Sequence, residues 1–211
     1  MADLPDLDVL LVFFTAAVAL GFAPGPDNIF VLTQSALYGR LAGFAVTLGL
    51  CTGLLVHTTA VAFGIAAVFS ASAVAFNIVK VLGAAYLLYL AWQAFRAGTS
   101  SLSAENRFRP GLAQLYRRGI VMNITNPKVA IFFLAFLPQF ADPTIGPLAP
   151  QLLGLGFLFI VATIFVFGTV AWGAGYFGEW LTASPKAQIT LNRIAAVVFA
   201  GLAIRLLTTQ R

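Results

Sequence analysis

Side chains able to do chemistry are few in this chain, and the most telling sit beside prolines in apolar surroundings. Asp27 follows Pro24-Gly25-Pro26 inside an apolar run from about Leu7 to Leu37, and Lys128 follows Asn126-Pro127 in a second such run. Proline lacks the amide proton that continues a helix, so carbonyls near Leu20 to Phe22 lose their partners. After each break a new helix begins. Asn126 suits the cap and Pro127 the first helical position, and Pro26-Asp27 repeats the pattern with an acid in the first turn. Helix starts carry about half a positive charge and unpaired N–H groups that suit a carboxylate. Freed carbonyls suit an ammonium or a cation. Together these groups could bind a small zwitterion, and the carboxylate of Asp27 could take up a proton.

The same inventory excludes other chemistries. The chain holds one histidine, one cysteine and one acid well inside an apolar run, which do not supply the paired acids, Ser/His set or metal cluster of a membrane hydrolase. Cys51 alone rules out a disulfide framework or a dithiol carrier within the chain. No cofactor and no resident metal are expected. A net charge of +5 is not a nucleic-acid signal, because the arginines cluster between apolar runs. Two competing readings stay open. One is a divalent-cation exporter, which would want more ligands than Cys51, His57 and Asp27. The other is a membrane scaffold that transports nothing.

What must position these groups is a set of membrane spans. Of the 211 residues, 60% are hydrophobic and 9% charged, against about 25% charged in soluble domains. Mean hydropathy is +0.94. The expected fold is an all-α integral membrane protein forming a single transmembrane domain. Its six apolar windows run from about Leu7 to Leu37, Leu41 to Phe69, Ala73 to Arg96, Gly119 to Phe140, Gln151 to Tyr176 and Ile189 to Leu207. A polar loop over 97–110 separates the third from the fourth, and a Pro/Gly-rich turn from Asp142 to Pro150 separates the fourth from the fifth. The acidic N-terminus lacks the basic start of a signal peptide, so the first window is expected to stay as a span.

The six windows divide into two three-helix repeats, 1–105 and 106–211, which cross in opposite senses and so form inverted repeats. PGPDNIFVL around Pro26 matches TNPKVAIFF around Pro127 at an offset of 101 residues, about half the chain. Pro-interrupted spans at matching places point to a transporter's site. Lys and Arg set the orientation. Arg40, Arg96, Arg107, Arg109, Arg117, Arg118, Lys186 and Arg193 fall on one side, and Arg205 and Arg211 on the other. This bias puts both termini outside and the middle loop in the cytoplasm. Gly111 to Arg118 is expected as an interfacial stretch before the fourth span, with Trp92 and Trp180 as interfacial anchors.

Each charge at the bilayer centre costs about 2.5–3.5 kcal/mol on insertion scales, so pairing is expected. Asp27 with Lys128 is the natural pair, either a static lock between the halves or part of the transport cycle. Lys80 then either snorkels outward or faces an anionic substrate group. Asn123 and Asn126 lie three apart on one helical face and could bind substrate. Asn126 is equally readable as a cap, and Asn28 stands in the same position. Asn77 shares a face with Lys80 and either lines the outer path or bonds a neighbouring span. His57 is either a proton relay or a satisfied buried imidazole. Gly49-xxx-Gly53 permits close helix approach.

At these residues the sequence closely resembles the LysE/RhtB family of amino-acid exporters. The matching stretches are GFAPGPDNIFVL and NITNPKVAIFFLAFLPQF, with further likeness at 38–43, 49–53, 82–87, 192–193 and 200–202. The resemblance covers nearly the whole chain. It implies a small bacterial inner-membrane exporter of amino acids or related metabolites, driven by the proton gradient and able to form a homodimer. The residues it implicates are Pro24, Gly25, Pro26 and Asp27, with Asn126, Pro127 and Lys128. A single intramembrane acid beside two lysines argues against a dibasic substrate.

Overall fold

Long runs of Ala, Leu, Val and Phe satisfy their backbone groups only within helices where water is absent, and helices are what the chain forms. A computed structural model describes residues 5–23, 25–65, 73–96 and 110–208. Pro24, the polar loop over 97–109 with Arg107 and Arg109, Arg211, and the side chains of Trp180 and Arg205 lie outside the described residues. Helix α1 spans Leu7–Phe22, α2 Pro26–Tyr38 and α3 Arg40–Ala60, the last continued by a π turn over Val61–Ile65. Helix α4 spans Ala73–Arg96 and α5 Leu112–Ile124. Helix α6, Pro127–Ile131, runs on through a π turn at Phe132–Phe136 and a 3-10 turn at Leu137–Phe140. Helices α7 and α8 span Leu148–Ala183 and Pro185–Thr208.

The two proline breaks are real bends. Helices α1 and α2 meet at 63°, and α5 meets the α6 segment at 50°. Among the described residues, two helices are long and apolar enough to cross a membrane, Arg40–Gly64 and Leu148–Gly173, or four if each bent pair counts as one span. The third and sixth expected windows coincide with α4 and α8, each 24 residues long. One expectation needs correcting. The helix of the fourth window begins well before Gly119, because Leu112 onward, most of the stretch expected at the interface, is already the first part of α5. The residues from Leu112 to Arg118 contain no Pro or Gly to interrupt them, so helical hydrogen bonding carries straight through.

Glycines set how closely the helices pack. A Cβ on Gly49 of α3 would stand 2.1 Å from the Tyr116 carbonyl oxygen and 3.0 Å from Gly119 Cα of α5. A Cβ on Gly119 would stand 2.5 Å from the Val46 carbonyl oxygen. One turn on, a Cβ on Gly53 would meet Asn123 at 2.7 Å. Helices α3 and α5 therefore touch backbone to backbone, and the Gly49-xxx-Gly53 spacing lays Asn123 against α3. Helix α7 packs on α1, α2 and α3, and α4 packs on α8.

The apolar interior forms two clusters. One is aromatic, with Phe13, Phe132, Phe133, Phe136, Phe140 and Phe159 in successive ring contacts such as Phe13–Phe140 at 5.1 Å and Phe132–Phe136 at 4.7 Å. The other is mainly aliphatic and gathers Val31, Ala42, Val46, Leu50, Leu115, Val166, Phe167 and Ala171. Buried hydroxyls return to their own helices: Ser35, Thr47, Thr58 and Thr163 each donate to the carbonyl four residues back. Outward-facing Leu7, Leu55, Val81, Phe165 and Val197 give a surface suited to acyl chains. Trp92 is exposed, with the Arg96 guanidinium 4.3 Å from its ring centroid, as fits an interfacial anchor.

The α3–α5 contact predicts that Gly119→Leu lowers stability by about 3 kcal/mol or more, because backbone rather than flexible side chain must give way. Gly201→Ala on α8, where an added Cβ meets nothing within 4 Å, should be neutral or stabilising by up to about 1 kcal/mol. Thermal unfolding in detergent separates the two. A Gly119→Leu protein as stable as the Gly201→Ala protein would contradict the contact.

Candidate functional site

The first break is short and extended. Ala23 and Gly25 both take extended conformations, and Gly25, with φ −175° and ψ 174°, caps α2 without a side chain. Pro26 then occupies the first position of α2, and Asp27 follows, 7% exposed. At the second break Thr125 closes α5 and Asn126 caps α6, its Oδ1 accepting from the Lys128 amide at 3.0 Å. Pro127 takes the first helical position. The backbone repeats across the two breaks: Ile29 N donates to Gly25 O at 3.1 Å, and Ala130 N donates to Asn126 O at 3.0 Å.

The breaks are tied to each other by side chains. Asn126 uses its second amide atom, Nδ2, to donate to Asp27 Oδ2 at 3.0 Å. Lys128 sends its ammonium back to α1 and donates to Leu20 O at 3.2 Å and Ala23 O at 3.0 Å. Its Nζ also lies 5.7 Å from the Phe199 ring centroid on α8. Asn28 Nδ2 donates to the same Ala23 carbonyl at 3.1 Å. At the second break the freed Asn123 carbonyl accepts from Asn126 N at 3.1 Å and stands 3.1 Å from His57 Nε2 of α3.

Asp27 and Lys128 thus share a site, but not as the direct pair the sequence suggested. Among the described residues no nitrogen–oxygen contact within 4.0 Å joins them. The cause is competition for the ammonium. The Leu20 carbonyl, which also accepts from Ala23 N at 3.2 Å, and the Ala23 carbonyl draw Lys128 backward, and the neutral Asn126 amide meets the carboxylate instead.

Asp27, Asn28, Asn123, Asn126 and Lys128 line one cavity of about 30 Å³, with Gly25, Leu20, Gly21, Leu54, Val129, Phe159, Thr163 and Phe167 completing its wall. That volume holds a water or two, whereas ligand pockets measure roughly 300–1,000 Å³. The site is therefore contracted, and an amino acid does not fit without a rearrangement. The aromatic cluster contributes Phe159 to the wall, and the aliphatic one contributes Phe167. Two buried oxygens have no hydrogen-bond partner, Asp27 Oδ1 and Asn123 Oδ1.

Other expected residues stand further off. Lys80 and Asn77 lie on α4 outside the cavity wall. His57 is outside the wall too but reaches it through the Asn123 carbonyl, with its ring 5.7 Å from that of Phe133. Pro26 and Pro127 shape the breaks without lining the cavity. Sequence reasoning missed the contribution of α7. Phe159, Thr163 and Phe167 are spaced four apart, so they share one helical face, and a hydroxyl between two rings in that stripe was the available signal. Among the described residues no three His, Cys, Asp or Glu side chains converge as a metal site would require.

The family described as LysE type translocator matches residues 18–210. A protein of Vibrio cholerae named as an uncharacterized membrane protein is 32% identical over 206 residues, 97% of this chain and 99% of that one. The homoserine/homoserine lactone efflux proteins of Salmonella typhi and Salmonella typhimurium are each 35% identical over 190 residues, 89% of this chain and 90% of theirs. No solved structure matches the chain.

The tie network separates two roles of Asn126. Asn126→Ser keeps an oxygen for the Lys128 amide but no longer reaches Asp27; Asn126→Ala loses both. The alanine protein should be less stable than the serine protein by about 1 kcal/mol, the worth of the cap. Lys128→Met leaves two carbonyls without their ammonium and should cost about 1.5–3 kcal/mol. Chemical unfolding in detergent measures all three, and wild-type stability in Lys128→Met would show that the first break does not depend on the ammonium.

Proposed function

The chain belongs to the LysE-type translocators, and on that premise we propose that it exports amino acids, homoserine among them, from the bacterial cytoplasm in exchange for protons. The observation that carries this reading is Asp27: a buried carboxylate at the junction of two broken helices, with one oxygen held by Asn126 and the other unpartnered beside a cavity. A carboxylate there can hold a proton or a substrate ammonium, but not both at once, and that exclusion is what antiport needs.

The proposed architecture is six spans in two inverted three-helix repeats, in the inner membrane with both termini outside. The 101-residue offset between the breaks supports it, as does the matching cap-to-amide bond four residues on at each break. So do the contacts of α3 with α5 and of α7 with α1 and α2, which a two-fold axis relating the halves would map onto each other. Transport then proceeds by alternating access. Substrate sits between the breaks, with its ammonium toward Asp27 and its carboxyl end toward Lys128. One apolar cluster loosens while the other stays shut. A proton entering from outside takes the place of the released substrate on Asp27 and permits return.

Asp27→Asn is isosteric and can keep the bond to Asn126, so the variant should fold with an unchanged unfolding midpoint. In proteoliposomes loaded with homoserine, its efflux under an imposed pH gradient should fall to the rate of protein-free liposomes. Gradient-driven efflux at the wild-type rate would remove Asp27 from the coupling step.

A further inference from the structure

The hydrogen-bonding inventory of the cavity is lopsided. Three of its side-chain donors are engaged by the protein itself: Asn126 Nδ2 by Asp27 Oδ2, Asn28 Nδ2 by Ala23 O, Thr163 Oγ1 by Phe159 O. The Lys128 ammonium is met by Leu20 O, Ala23 O and the face of Phe199. Two buried side-chain acceptors are left without a donor, Asp27 Oδ1 and Asn123 Oδ1, each with less than 1 Å² accessible. Their side chains are more than nine-tenths buried, 7% and 2% exposed. Buried acceptors without donors are expensive, and their natural complement is a group that brings several N–H bonds and a positive charge.

We propose that this cavity is an ammonium subsite built on Asp27 Oδ1 and Asn123 Oδ1, and that it recognises a primary ammonium without requiring a carboxylate. This rests on the exporter reading above and narrows its substrate class. The transported molecules are amino acids together with their carboxyl-capped derivatives, the amides, esters and lactones. N-acylated acids, which keep the carboxylate and lose the ammonium, are excluded. A substrate carboxylate gains little here, since it must compete with two backbone carbonyls for Lys128. Moved toward Asp27 it meets a like charge. The names of the two Salmonella proteins pair homoserine with its lactone; the inventory of this cavity gives such a pairing a physical cause and extends it to amides and esters.

The test is competition for homoserine efflux by the full chain in proteoliposomes, with homoserine amide and N-acetyl-homoserine as competitors. The amide should inhibit within about threefold of unlabelled homoserine, and N-acetyl-homoserine should not inhibit at a hundredfold higher concentration. Asn123→Leu, which removes the second acceptor at similar volume, should weaken homoserine and its amide alike, by roughly tenfold. Inhibition by N-acetyl-homoserine equal to that by the amide, or no inhibition by the amide, overturns the ammonium subsite while leaving export intact. Absence of any homoserine flux overturns the export reading on which the subsite depends.

Discussion

A backbone carbonyl without a donor costs several kcal/mol in hydrocarbon, and this chain interrupts two helices in its apolar interior. Everything around the breaks follows from settling that debt. At the first break the carbonyls of Leu20 and Ala23 receive the Lys128 ammonium, and Ala23 also receives Asn28. At the second, the Asn123 carbonyl receives the Asn126 amide and contacts His57. Lys128 reaches from the second half of the chain to the first, and His57 reaches from the first half to the second. Helix interruption is therefore also what fastens the halves together. Each break is thus repaired partly by its own neighbours, through Ala23 N, Asn28 and Asn126 N, and partly by a side chain from the other half of the sequence.

The two apolar clusters differ in a way that bears on such a rearrangement. The contact of α3 with α5 is backbone on backbone at Gly49 and Gly119, with no side chains there to adjust. Segment α6 is different. It passes within fourteen residues from α-helix to π turn to 3-10 turn, and its ladder of hydrogen bonds changes register twice. Four rings of the aromatic cluster, Phe132, Phe133, Phe136 and Phe140, ride on this irregular stretch. Their ring contacts are close, but the backbone that carries them is irregular. The aliphatic cluster rests on the regular helices α2, α3, α5 and α7. Ring packing and backbone regularity are thus distributed unequally around the cavity.

Much of this was legible in residue types. Pro26 and Pro127 announced the breaks because proline leaves the chain no alternative, and the Gly49-xxx-Gly53 spacing announced a close crossing. Asp27, Asn126 and Lys128 were recognisable as site residues because charges and amides are costly in apolar runs. Their pairing was not legible. Charge signs alone favour an Asp27–Lys128 bridge. The actual partners depend on which carbonyls the bend exposes and how far a lysine can reach, and a linear sequence contains neither. The wall from α7 was hidden for a related reason. Phe159, Thr163 and Phe167 read as ordinary span residues, and only the packing of α7 on α1, α2 and α3 gives that face its meaning. The start of α5 was expected too late because the arginines at 117 and 118 suggested a boundary where the backbone has none.

Asn126 carries the relation between the halves further than either charge does. Its Oδ1 holds the Lys128 amide and so sets the direction in which α6 begins; its Nδ2 holds the Asp27 carboxylate. An amide has one plane, so these bonds cannot be adjusted independently. A shift of the Asp27 carboxylate bears on that plane and hence on the start of α6, the segment that carries four rings of the aromatic cluster. In the reverse direction, a shift of α6 reorients the donor that holds Asp27. A glycine stands at the equivalent place in the first half, Gly25, with no side chain to couple anything. The asymmetry is structural: the first break holds the acid, and the second holds the amide that binds it.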